Sequence, residues 1–117
     1  MKSKSEIAEG AIEILDARGW CQGVAEHDGS VCLGSALVES ASDGSVVAVG
    51  VDWGFGSLKY LEGQRYERAV AVGKAVLGTT ISHVSNIAGW NDAPDRTADQ
   101  VRDRLTAVAK MYRDRGE

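Results

Sequence analysis

Nowhere in the 117 residues do roughly 18 apolar side chains run together. The start, MKSKSEIAEGAIEIL, carries charge but neither an apolar signal core nor a small-residue cleavage site. A membrane span and a secretory leader are therefore not expected, and the chain reads as cytoplasmic. Cysteine is scarce: Cys21 and Cys32 are too few for a secreted disulfide scaffold and read as thiols in a reducing compartment. Positive charge is in deficit. The 13 Lys and Arg stand against 17 Asp and Glu, for a net charge of −4, so no global field draws in nucleic acid or an anionic membrane. Phosphate-loop signatures are missing, since GFG and GSL open neither a G-x-x-x-x-G-K-[ST] nor a G-x-G-x-x-G. Zinc spacing is missing too: Cys21 and Cys32 lie eleven apart and His27 and His83 form no close pair, so neither a metal site nor a cofactor is expected.

What is present is an ordinary globular composition, 44% hydrophobic and 26% charged, in a length that suits one domain over residues 1–117. Ser3 with Glu6 forms a capping box, and Ile7, Ala11, Ile14 and Leu15 recur at helical spacing, which predicts a helix over 4–18 with Gly19 as its left-handed end. Asp28-Gly29 between short apolar stretches predicts a small hairpin. Leu33, Ala36, Leu37 and Ser40/Ala41 follow a helical period that stops at Asp43-Gly44. Val47, Val49, Val51, Trp53 and Phe55 alternate with small residues and favour a strand, though the glycines there also fit an irregular loop. Helical spacing returns from Gln64 to Leu77 through Tyr66, Val70 and Gly73, with Gly78 as its end, and Ile81 to Ala88 is an apolar connector with no assigned state. Val101, Leu105, Val108 and Tyr112 make the buried stripe of a last helix whose wet face holds Gln100, Asp103, Lys110 and Asp114. The expected class is α+β, mainly helical: three to four amphipathic helices with a small β-hairpin or short strand element.

The densest run of unusual residues is AGWNDAPDRT, 88–97. Most of it reads as a helix entrance. Asn91-Asp92 favours an Asx-type turn, Pro94 keeps Ala93 out of the helical region, Thr97 with Gln100 makes a second capping box, and Asp95 and Asp99 complement the helix dipole. Trp90 and Arg96 have no capping role. With Trp20 and Asn91 they form the candidate binding set, because indoles offer flat contact surfaces and arginine grips a carboxylate or phosphate with two parallel donors. The competing reading of the indoles is as anchors of a small core.

No convincing catalytic set is present. The enzymatic alternative is a Cys-dependent hydrolase or transferase, with Cys32 at a helix N-terminus, His83 as base and Asn91 or Asp92 orienting it. Against it stands a Cys32 that serves packing alone.

The segments GWCQG (19–23), VCLGSAL (31–37) and WNDAPDRT (90–97), followed by Val101 and Leu105, resemble a family of small uncharacterised proteins from actinobacteria and their phages. The stretch from about 45 to 62 is not part of that resemblance, nor is His83. It implies a bacterial or phage cytoplasmic protein without an assigned activity. The expected function is a non-enzymatic binding or regulatory module, a homo-oligomer and most simply a dimer, acting on a host protein or a small ligand that could be nucleotide-like. A sponge or sensor for a signalling nucleotide is a third reading, resting on the Trp/Arg set and the phage kinship.

Overall fold

The computed structural model describes residues 1–24, 26–46, 61–78 and 86–117. The strand expected within 47–55, most of the apolar connector and His83 lie outside the described residues. Among the described residues there are five helices and one two-stranded antiparallel sheet: α1 Lys4–Arg18, β1 Glu26–His27, β2 Ser30–Val31, α2 Leu33–Ala41, α3 Gly63–Leu77, α4 Asn86–Asn91 and α5 Ala98–Asp114. The class is therefore the α+β, mainly helical one expected, with α4 as an added short helix.

Helix α1 starts as its sequence dictates. Glu6 N–H donates to Ser3 Oγ at 3.3 Å and Ser3 N–H donates to Glu6 Oε1 at 2.9 Å, and these bonds from Ser3 hold the Glu6 carboxyl below its usual value. It ends differently. Gly19 has φ 91° and ψ 165°, not the left-handed helical cap the sequence predicts. The reason is that the chain goes straight into a bridge: Val31 N–H donates to Gly19 C=O at 2.9 Å, and a side chain at Gly19 would press on Ser30 Oγ. The hairpin follows expectation, with Asp28 (φ 49°) and Gly29 (φ 92°) both in the positive-φ region a two-residue turn requires.

Helix α2 is not amphipathic. Leu33 to Val38, Ser40 and Ala41 are all buried and only Glu39 is half-exposed, because α1, α3 and α4 enclose it. Arg18 Nη1 donates to both Glu39 carboxylate oxygens, at 3.0 and 3.1 Å. Ser40 Oγ donates to Ile7 C=O at 2.8 Å, and a Cβ on Gly10 would collide with that hydroxyl, so Gly10 allows α1 and α2 to approach closely.

On α3 the buried face is Ala69, Val72, Gly73, Val76 and Leu77, while Tyr66 is 36% exposed and Val70 half-buried. The predicted stripe through Tyr66 and Val70 is thus rotated. A Cβ at Gly73 would lie 2.5 Å from Ile87 Cδ1, so the bare face of Gly73 is where α4 seats its isoleucine. Arg104 of α5 caps the C-terminal end of α3, with Nε on Val76 C=O at 2.9 Å and Nη2 on Ala75 C=O at 3.0 Å.

Helix α5 packs antiparallel on α1. Lys4 pairs with Glu117 at 2.9 Å, Glu9 with Arg113, and Asp16 with Arg102 at 3.0 Å, so charges match from one end of the helix pair to the other. Beneath them Ile7, Ala8, Ala11 and Leu15 join Val101, Leu105, Val108 and Tyr112 in one core with Leu37, Val72 and Ile87.

Candidate functional site

The 88–97 strip is where the chain turns from α4 to α5. Asp92 N–H donates to Ala88 C=O at 2.7 Å, Arg96 N–H to Ala93 C=O at 2.9 Å, and Thr97 and Gln100 exchange both bonds of the expected capping box. The turn and cap reading of Ala93 to Thr97 holds. The Asx-type reading of Asn91-Asp92 does not, because the Asn91 side chain works over a long range and Asp92 Oδ1 accepts from Gly23 N–H and Asn91 Nδ2.

Asn91 is 0% exposed and all four of its amide bonding positions are filled. Its Oδ1 accepts from Trp20 Nε1 at 2.7 Å and from Leu33 N–H at 2.9 Å. Its Nδ2 donates to Cys21 C=O at 3.1 Å and to Asp92 Oδ1 at 3.0 Å. The backbone explains why an amide is needed. A parallel bridge pairs Trp20 with Val31, through Val31 N–H to Gly19 C=O and Cys21 N–H to Val31 C=O. The next rung of such a ladder would run from Leu33 N–H to Cys21 C=O. The Asn91 carboxamide is inserted into that rung, accepting from one backbone group and donating to the other. Only a side chain that is both donor and acceptor can do this.

Two further ties close the arrangement. Gln22 Nε2 donates to Asn91 C=O at 3.0 Å and Ala93 C=O at 2.9 Å, and Gly23 N–H donates to Asp92 Oδ1 at 2.9 Å. The segments 19–23, 31–37 and 90–97 therefore meet at one side chain. The roles of Gln22, Gly23 and Leu33 were not legible in the sequence, since their partners are tens of residues away.

Trp90 and Arg96 form the outer part. Trp90 is half-buried and packs on the core, and the Arg96 guanidinium lies over its ring 3.9 Å from the centroid. Arg96 Nε donates to Trp90 C=O at 2.9 Å. Its terminal nitrogens make no hydrogen bond or ion pair among the described residues. Stacked on one face and pinned at Nε, the fork is pre-oriented with both terminal nitrogens to spare. Trp20 and Asn91 stand behind it as support. Surface depressions among the described residues lie elsewhere, beside Ser42, Leu61 and Arg65 and beside Ser3, Lys4 and Arg68.

The thiols look inward. Cys32 is 6% exposed and caps α2, its Sγ accepting from Ser35 N–H at 3.4 Å. Cys21 Sγ donates to Val24 C=O and Ser30 C=O, both at 3.5 Å. Burial, then the nearby Cys32, Glu26 and Asp92, pushes the Cys21 thiol up to about 11. Cys32 does lie at a helix N-terminus, as the enzymatic alternative requires, but it is enclosed there, and the proposed base His83 is outside the described residues. Among the described residues no group of three or more His, Cys, Asp or Glu could hold a metal ion, and no helix is long and apolar enough to cross a membrane.

Comparison with curated proteins and with solved structures finds no match. The model of the family of unknown function DUF6197 matches residues 1–111, nearly the whole chain, and the protein belongs to that family.

Proposed function

We propose that this is a non-enzymatic binding module that recognises an anionic group, a carboxylate or a phosphate, on a protein partner or a small ligand at Trp90 and Arg96. The observation that carries the reading is the Arg96 guanidinium, stacked on Trp90 and anchored through Nε with its terminal nitrogens unpaired among the described residues. Holding a guanidinium in place before binding removes most of the ordering cost that a mobile arginine meets on contact. Arg96 covers one face of the Trp90 ring, and the indole packs on the core. A ligand therefore meets the charged fork before it meets an aromatic surface. This favours an anion over a base stacked on indole, and a nucleotide would enter by its phosphate.

The actinobacterial or phage origin and the cytoplasmic setting belong to the proposal through the sequence resemblance. Homodimerisation belongs to it as well. Among the described residues only Met1 and Tyr66 expose large apolar side chains, so the basis that remains is the alternating apolar run at 47–55.

Tryptophan fluorescence titrated with inorganic phosphate, acetate and adenosine monophosphate tests the binding claim. A saturable change with one of these probes that Arg96→Lys abolishes supports it, because lysine keeps the charge and loses the planar fork. Equal responses from wild type and Arg96→Lys, or none from either, would refute it.

A further inference from the structure

The binding proposal uses neither thiol, yet the backbone sets the two cysteines side by side. Val31 N–H to Gly19 C=O at 2.9 Å and Cys21 N–H to Val31 C=O at 3.1 Å pair Trp20 with Val31 in parallel. One residue further along both segments, Cys21 stands opposite Cys32. The Asn91 amide holds that step as well, through Cys21 C=O and Leu33 N–H. Cys32 is still extended, at φ −81° and ψ 170°, so in this register its Cα–Cβ bond leaves on the same side as that of Cys21. Paired strands lie about 4.8 Å apart, and Cys21 N–H still bonds Val31 C=O at 3.1 Å before the Asn91 amide widens the next rung, which leaves the two Cα atoms within the roughly 4.4–6.8 Å that a disulfide spans.

The geometry points to a reversible disulfide between Cys21 and Cys32, formed by exchange with a small-molecule disulfide, as a modification site of this protein. Cys21, the more exposed of the two, attacks first as thiolate. Its sulfur bonds to one sulfur of the small disulfide, whose S–S bond breaks and releases one thiolate. Cys32 thiolate then attacks the Cys21 sulfur and expels the second. The protein is oxidised by two electrons, the small disulfide is reduced to two thiols, and the two cysteine protons end on those thiols.

In the reduced protein each thiol faces its own partners, Cys21 the carbonyls of Val24 and Ser30, and Cys32 the amide and hydroxyl of Ser35. Oxidation turns both sulfurs away from these groups, so α2 loses its cap beside the Asn91 junction. The high thiol pKa of Cys21 makes the first step slow at neutral pH and faster as pH rises, and the burial of Cys32 slows the second.

The test is incubation of the full native chain with excess oxidised glutathione at about pH 8.5, with circular dichroism to follow folding, then denaturation, alkylation and mass spectrometry. The expected product has lost two hydrogens, resists alkylation, yields a linked Cys21–Cys32 peptide and reverts with a thiol reductant. Cys21→Ala and Cys32→Ala should each yield at most a single glutathione adduct. Two alkylatable thiols in a protein that stayed folded, two glutathione adducts, a bond between chains, or a link formed only in urea would each overturn the inference.

Discussion

Asn91 shows how much one side chain can hold when both ends of its amide are used. Replacing it with alanine leaves Trp20 Nε1, Leu33 N–H and Cys21 C=O without their partner around a side chain that is itself fully buried. Each orphaned buried group costs on the order of 1–3 kcal/mol, with overlap between them. Asn91→Ala should therefore lower unfolding free energy by about 3 kcal/mol in urea denaturation, and Trp20→Phe, which deletes one of those bonds, by less. A loss under about 1 kcal/mol for Asn91→Ala would show that the amide is not the keystone inferred here. The Asn-Asp pair stands out in sequence but points to a local turn, because a residue string carries no sign that its partners are Trp20 and Leu33.

Cys21 gives a residue-scale prediction in pH. The unfolded thiol loses its proton near its ordinary value of 9, whereas the folded thiol holds it to about 11. Its contribution to stability is thus complete below pH 9 and lost as pH rises from 9 to 11. Stability measured across that window should fall, and Cys21→Ala should make the fall shallower. Identical slopes for the two proteins would contradict the burial assigned to this thiol.

At the scale of elements, capping boxes and the α5 stripe were legible because both are local. Ser3 with Glu6 and Thr97 with Gln100 need only three residues of context, and both boxes form. Thr97→Ala should cost about 1 kcal/mol in thermal or chemical unfolding. The α3 face was not legible, since Ala69, Val70, Val72 and Val76 offer apolar positions on more than one side. What selects the face is Ile87, seated against Gly73 from an element with too few residues to show a period. Gly73→Val should therefore destabilise by about 1–3 kcal/mol of overpacking despite the small gain in helix propensity, whereas Val70→Ala should cost less. Equal effects at the two positions would contradict the packing described. Helix α2 was legible as a helix but not as an enclosed one, in which Ser35 and Ser40, with Ser42 just past its end, are buried polar groups.

At the scale of the molecule, one core takes side chains from all five helices, and the terminal helices α1 and α5 are tied along their length. The described surface has little apolar area to offer a second copy. Sedimentation velocity checks the homodimer: a dimer that Val49→Asp or Val51→Asp dissolves would support an interface through the 47–55 run, and a strict monomer at high concentration would remove it.

The candidate site was half legible. Trp90 and Arg96 stood out because turn and cap chemistry left them without a role, but the division of labour did not, because it depends on contacts between distant segments. Asn91 and Trp20 face inward and hold the strip, and Arg96 faces outward on Trp90. The central claim is that this held arginine is a receptor for an anion. Nitrogen-15 correlation spectra of the Arg96 Nε–H and Trp90 indole N–H, titrated with inorganic phosphate and acetate, test it most directly. Saturable shifts in both signals with one of these probes, while the Trp20 indole in its bond to Asn91 stays still, are the predicted result. Signals that do not move, or that move no more than those of other surface arginines, would contradict it.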